Sequence, residues 1–284
     1  MEPGRAAGTQ VGLWPELRAA ARAARAGGRA AQAFAGQLGS DRKVDGSPVT
    51  AADRASQDRV LAELRAAFPD DVVLSEEASD PVERLGRRRV WIVDPLDGTK
   101  EFLAGNGEYA VMVGLAAEGR AAVGAAYRPA HRLMYAGARG LGAWRRAPGG
   151  PWTRLEAPRA QGGAPRVVGS RSHPDALLVR MQEALGVTDV LPAGSVGVKC
   201  GLVADGLRDL YVHPVPYLKE WDTCAPEVVL RAAGGRVTDC RGEPLAYNKP
   251  DPVQPHGIVA GAPGVVERVG ARIAAVYAAA GGRG

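Results

Sequence analysis

Apolar residues Leu13, Leu17, Ala21 and Ala24 recur at helical spacing and predict a first helix from about Trp14 to Leu38, closed by the polar turn Gly39-Ser40-Asp41. A second helical period runs through Ala52, Ser56, Val60, Leu64 and Phe68. Thr50 stands before it as an N-cap, and Asp53 three residues on makes a partial capping box. Pro69-Asp70 ends that helix. The short apolar run Val72-Val73-Leu74 then predicts a strand that delivers Ser75-Glu76-Glu77 at its end.

Beyond the apolar strand Val90-Trp91-Ile92-Val93, β-rich runs cover Tyr109–Ala117, Ala121–Tyr127, Arg132–Ala136 and Gly142–Trp144. Turns at Glu118-Gly119 and Pro129-Ala130 predict an antiparallel meander. The stretch from Ala147 to Pro165, with four prolines and four glycines, predicts a boundary between an N-terminal α+β subdomain, residues 1–150, and a C-terminal α/β subdomain, residues 165–284. After it the pattern alternates. Strands are expected at Val167–Gly169, Asp189–Leu191, Arg208–Val212, Gly235–Thr238 and His256–Ala260. Helices are expected at Pro174–Leu185, Ser195–Ala204, Thr223–Ala233 and Val265–Ala280. Alternation of this kind favours an α/β layer.

Chemistry concentrates in Asp94-Pro95-Leu96-Asp97-Gly98-Thr99-Lys100. Two carboxylates three positions apart close an apolar strand, and a glycine and a hydroxyl residue follow. Carboxylate oxygens suit a hard cation such as Mg²⁺, whose sites are commonly completed by water and substrate phosphate. Pro95 fixes its own φ and biases Asp94 toward an extended backbone, so the chain leaves the strand on a set path that lets the Leu96 carbonyl turn toward a metal. Gly98 permits close backbone approach, and the N–H groups of Gly98 and Thr99 can cradle a phosphate where a helix begins.

Composition narrows the field. With 284 residues the chain needs no staples, and its three cysteines, Cys200, Cys224 and Cys240, form no Cys-x-x-Cys pair, which argues against a disulfide framework and for a cytoplasmic setting. No apolar run approaches the roughly 20 residues of a membrane span. The Arg- and Ala-rich first 30 residues resemble a transit peptide superficially, but their spacing favours a helix. The net charge of +5 invites a nucleic-acid reading, against which the basic residues are scattered and aromatics make up only 5%. None of the four histidines shows zinc-ligand spacing.

Taken together, Glu76-Glu77, the motif from Asp94 to Thr99, and Trp221-Asp222 resemble the inositol monophosphatase superfamily of Mg²⁺-dependent, lithium-sensitive phosphatases, over residues 43 to 260. Within it, Lys43 to Asp53, Leu74 to Glu77, Asp94 to Phe102 and Ser170-Arg171-Ser172-His173 look like the CysQ type of 3'(2'),5'-bisphosphate nucleotidase. The resemblance implies a layered αβαβα sandwich with the site between its halves. It implies two or three Mg²⁺ ions held by Glu76, Asp94, the Leu96 carbonyl, Asp97 and Asp222. Asp53 and Thr99, assisted by Glu76, are implied as the groups that orient the attacking water. Gly98, Thr99, Gly194, Ser195, Lys199 and Asp222 are implied as substrate contacts, with Lys43 and Glu77 as further candidates and Arg171 and His173 beside the nucleotide.

The implied substrate is 3'-phosphoadenosine 5'-phosphate, with the sulfated analogue as a second, and the implied partner is thus a phosphorylated nucleotide, bound by a monomer or homodimer. Inositol monophosphatases carry an acidic residue before the Trp-Asp pair, where this chain reads His213-Pro214-Val215-Pro216-Tyr217. That departure argues against inositol. Sister activities on inositol 1-phosphate, fructose 1,6-bisphosphate or histidinol phosphate stay open, as does an RNA-binding role in a transcription complex with a vestigial site.

Overall fold

The structure, a computed structural model, describes residues 12–37, 39–42, 48–160, 162–172 and 175–281. Lys43 and His173 lie outside them. Helix α1 (Trp14–Gln32) stops six residues short of its predicted end, in a turn over residues 33–36. Its buried face is Leu17, Ala19, Ala20, Ala23, Ala24, Gly27, Gly28 and Ala31, whereas Arg18, Arg22, Arg25 and Arg29 are exposed. The arginine-rich segment is thus one side of an amphipathic helix. A two-stranded ribbon, β1 (Asp41–Arg42) and β2 (Pro48–Val49), leads to α2 (Ala51–Ala67).

Seven strands follow in meander order: β3 (Val72–Ser75), β4 (Arg89–Asp97), β5 (Ala110–Ala117), β6 (Arg120–Arg128), β7 (Leu133–Ala138), β8 (Gly142–Arg146) and β9 (Trp152–Leu155). Only β3 and β4 run parallel; the rest pair antiparallel. Strand β9 was not expected. It sits inside the Pro- and Gly-rich stretch because Ala143, Trp144, Arg145 and Arg146 offered an open edge to pair with. Helix α3 (Thr99–Leu103) is a single turn between β4 and β5.

The second sheet has the order β11-β10-β12-β14-β13, from β10 (Val167–Ser170), β11 (Val190–Ala193), β12 (Leu210–His213), β13 (Arg236–Thr238) and β14 (Ile258–Gly261). Its helices are α4 (Ala176–Ala184), α5 (Val196–Ala204), α6 (Glu220–Ala232) and α7 (Val265–Ala279). Strand β10 is parallel to β11 and β12, while β14 is antiparallel to both its neighbours. Helices α1 and α2 cover one face of the first sheet through Leu17, Ala24, Val60 and Leu64 against Trp91, Val93, Val111 and Val113. Helices α5 and α6 lie between the sheets, and α4 and α7 cover the far side of the second. The order of layers is αβαβα.

The middle layer is possible because the first sheet is bare beneath α6. A Cβ on Gly124 would stand 2.3 Å from the Ala225 carbonyl oxygen, a contact with rigid backbone. Helix α6 therefore rests directly on β5 and β6, which brings its N-terminus to the end of β4.

Candidate active site

Strand β4 runs on through the motif instead of ending at Val93, and one irregularity in it shapes the site. Asp94 pairs with Met112 and Asp97 with Ala110, so three steps on β4 oppose two on β5. In a regular strand residues three apart point to opposite faces. The extra residue, a bulge, restores both carboxylates to one side.

Three oxygens then converge. Asp94, Asp97 and Asp222 each place one carboxylate oxygen within 4.8 Å of the others'. Asp222 is the third residue of α6, not a residue before it, because the helix starts at Glu220; its Oδ2 accepts the Lys219 N–H at 2.6 Å. Asp94 Oδ1 accepts the Leu96 N–H at 2.9 Å, and Asp97 Oδ2 accepts the Gly197 N–H at 2.9 Å and the Ser195 hydroxyl at 2.5 Å. Glu76 lies outside this tight triad, at the turn after β3, where its N–H donates to the Val93 carbonyl at 3.2 Å.

Burial and mutual repulsion push Asp94 and Asp222 well above the ordinary carboxylate range. For Asp94 desolvation leads, followed by the charges of Glu76, Asp97 and Asp222. For Asp222 desolvation again leads, then Asp97 and Glu76. Asp97 is raised by burial although Lys199 opposes the shift. An all-oxygen donor set with such an excess of negative charge fits a hard divalent cation and disfavours a soft one.

These shifts have a sign. Between 3.8 and the raised values, the folded protein holds more protons than the unfolded chain, so cation-free stability falls as pH rises through that window. In EDTA the melting temperature is expected to drop as pH rises above the ordinary carboxylate range, and added Mg²⁺ is expected to restore it most strongly at the higher pH. A flat cation-free profile measured by scanning calorimetry would contradict this.

Beside the triad stands a chain of three side chains. Asp53 Oδ2 accepts both the N–H and the hydroxyl of Thr50, at 2.8 and 2.6 Å, completing the capping box, and Asp53 Oδ1 accepts the Thr99 hydroxyl at 3.0 Å. The Leu96 carbonyl lies 3.3 Å from the same hydroxyl. Burial raises the Asp53 carboxyl while the hydrogen bonds from Thr50 and Thr99 oppose it. Asp53 is therefore both a helix-capping acid and the partner of Thr99.

Helix α2 also organises the loops. Ser56 Oγ donates to the Pro95 carbonyl at 2.6 Å, and Gln57 joins the turn after β3, donating to the Glu77 carbonyl at 2.9 Å and accepting from Ser75 Oγ at 2.6 Å. Sequence reasoning assigned neither role. The available signal was polar Ser56 inside an otherwise apolar stripe.

Two residues of the α5 segment interact with Asp97. Lys199 is buried, with Nζ 5.1 Å from the Tyr211 ring centroid, and desolvation lowers it while Asp97 opposes. Ser195 adopts φ 54°, ψ 131°, a conformation that costs of order 1–3 kcal/mol in a non-glycine residue. Its hydroxyl also caps α5, accepting the Val198 N–H at 3.1 Å. Gly98 is left-handed, and α3 begins at Thr99. Arg171 is held by Glu108, at 2.8 and 2.7 Å, which restricts it to the rim.

Comparisons with known proteins converge. The profile described as the inositol monophosphatase family matches residues 15–274. The chain is 42% identical over 206 residues to the 3'(2'),5'-bisphosphate nucleotidase CysQ of Escherichia coli (strain K12), covering 72% of this chain and 81% of that protein. It is 39% identical over 210 residues to a protein of Mycobacterium leprae (strain TN) named 3'-phosphoadenosine 5'-phosphate phosphatase, covering 72% and 74% of the two chains. The crystal structure of CysQ from Bacteroides thetaiotaomicron, a bacterial member of the same family, superposes with a TM-score of 0.73 at 32% identity, covering 87% of this chain and 97% of that one.

Proposed function

The chain belongs to the inositol monophosphatase family, and from that premise we propose that it is a bisphosphate nucleotidase that removes the 3'-phosphate of 3'-phosphoadenosine 5'-phosphate to give AMP and phosphate. The observation that carries the phosphatase reading is the oxygen triad of Asp94, Asp97 and Asp222 beside the Asp53–Thr99 hydrogen bond. The nucleotide is supported by the relatives named for that substrate and by the loop of residues 213–217, which has no acidic side chain to hold inositol hydroxyls.

Asp94, Asp97 and Asp222, with Glu76 and the Leu96 carbonyl close by, are the groups to hold Mg²⁺. When bound, two such cations neutralise charge on the phosphoryl oxygens and favour the attacking and leaving oxygens of an in-line displacement. The protein's own part is positional and acid–base. Thr99 donates a hydrogen bond from its hydroxyl to Asp53 Oδ1, which leaves its oxygen lone pairs free to accept from a water. As that water attacks phosphorus, its proton passes to Thr99 Oγ1 while the Thr99 proton passes to Asp53, whose raised affinity for a proton assists. The bond from phosphorus to the ribose 3' oxygen breaks, and that oxygen takes a proton from solvent. The N-terminus of α5 and buried Lys199 border the site with positive potential suited to the nucleotide's second phosphate.

The test compares phosphate release from 3'-phosphoadenosine 5'-phosphate and from inositol 1-phosphate under identical Mg²⁺. A kcat/KM higher by about 10² for the nucleotide is expected, since a few kcal/mol separates substrates by contacts of this kind. Equal or reversed preference would sink the nucleotidase assignment while leaving the phosphatase intact.

A further inference from the structure

Between the two sheets, at the rim of the site, a set of contacts joins the halves. Glu108 lies on the loop just before β5 and is partly buried. Its carboxylate accepts from Arg171 Nε at 2.8 Å and Nη2 at 2.7 Å, and its Oε2 also accepts the Gly194 N–H at 2.8 Å. Arg171 Nη2 further donates to the Pro192 carbonyl at 2.8 Å, in β11 two residues before Gly194. Beside them, buried Glu101 accepts the Ser172 hydroxyl at 2.5 Å. Gly194 is enclosed: a Cβ there would fall 2.3 Å from Glu101 Cγ and 2.8 Å from the Glu108 carbonyl oxygen.

These contacts explain the strain next door. Glu108 stands on the loop two residues before Ala110, which pairs with Asp97, so this ladder pair governs the distance between the two carboxylates. The dipeptide Gly194-Ser195 spans that fixed distance, with the Gly194 N–H on Glu108 and the Ser195 hydroxyl on Asp97. A peptide held at both ends is kept in a conformation it would leave if either end were freed.

We propose that Glu108, clamped by Arg171, is a positioning residue for the cation site: it holds Gly194-Ser195 in the strained conformation from which Ser195 orients Asp97. The inference rests on the reading of Asp97 as a cation ligand. Glu108 does not touch the triad and acts through Ser195. The bidentate geometry supports a firm anchor, and the Arg171 guanidinium beside Glu108 holds its carboxyl below the usual range. An ordinary rim ion pair, by contrast, would contribute little to anything.

The experiment is calorimetric titration of the full chain with Mn²⁺, a hard cation that stands in for Mg²⁺, alongside cation-free melting. Glu108→Ala is expected to fold and to bind Mn²⁺ about tenfold more weakly, the loss typical when a ligand's supporting partner is removed. Glu108→Gln keeps an acceptor for the Gly194 N–H and is expected to recover part of that loss. Arg171→Ala, at a side chain 43% exposed and so safe for folding, is expected to weaken binding in the same direction by less. Folded Glu108→Ala and Arg171→Ala proteins that bind Mn²⁺ as tightly as the wild type would overturn the proposal, and if Glu108→Ala does not fold, Arg171→Ala decides. A wild type that binds no Mn²⁺ would instead refute the cation reading of the triad.

Discussion

An Asp94→Asn protein is expected to lose kcat by about 10³-fold while losing no stability. Lewis-acid stabilisation of the transition state is worth several kcal/mol, and each 1.4 kcal/mol is about a factor of ten in rate. Asp94 is buried and is one of the three converging carboxylates, so asparagine there removes one of the three ligand charges. Stability moves the other way. The asparagine keeps an Oδ1 acceptor for the Leu96 N–H, and removing the charge relieves repulsion from Glu76, Asp97 and Asp222. In EDTA its melting temperature is therefore expected to equal or exceed that of the wild type. Added Mg²⁺ should then raise the wild-type value and leave the variant's nearly unchanged, since a ligand stabilises only what it binds. Full turnover by folded Asp94→Asn would falsify the catalytic reading of the triad.

Thr99→Ala carries the second large effect. Its hydroxyl donates to Asp53 Oδ1 beside the triad, and positioned proton transfer contributes about 10²–10⁴ in rate. A fall in kcat of that order is expected with KM little changed, because Thr99 acts on the water and not on the nucleoside. Asp53 retains both hydrogen bonds from Thr50, so α2 keeps its cap and the fold stands. Thr99→Ser restores the oxygen and is expected to recover most of the rate. Steady-state kinetics at saturating substrate distinguishes the cases: equal kcat for Thr99→Ala and wild type would remove Thr99 from the proton path.

Both variants attack parts of the site that differ in how far the sequence exposed them. The helical spacing of Val60 and Leu64, the meander from Ala110 to Arg146 and the alternation after Val167 were all legible, because periodicity reports which face a residue must bury. Ends were less so. Helix α1 stops at Gln32 and α6 begins at Glu220, since termini are decided by capping and packing partners that lie far along the chain. Strand β9 escaped notice because its pairing edge, not its composition, makes it a strand.

The sequence by itself determined the chemistry on offer: oxygen donors at Asp94 and Asp97, a capping acid at Asp53, and a hydroxyl at Thr99 after a glycine. Residue type and local spacing suffice for that. Only the tertiary structure decided that the donors meet. The bulge that turns Asp94 and Asp97 to one face is defined by β5, and the approach of Asp222 depends on α6 lying against bare Gly124. Ser195, at positive φ, donates to Asp97 of β4 while the Gly194 N–H before it donates to Glu108 on the loop before β5. None of these is encoded within a local window, because each is a distance between segments that only long-range packing can set.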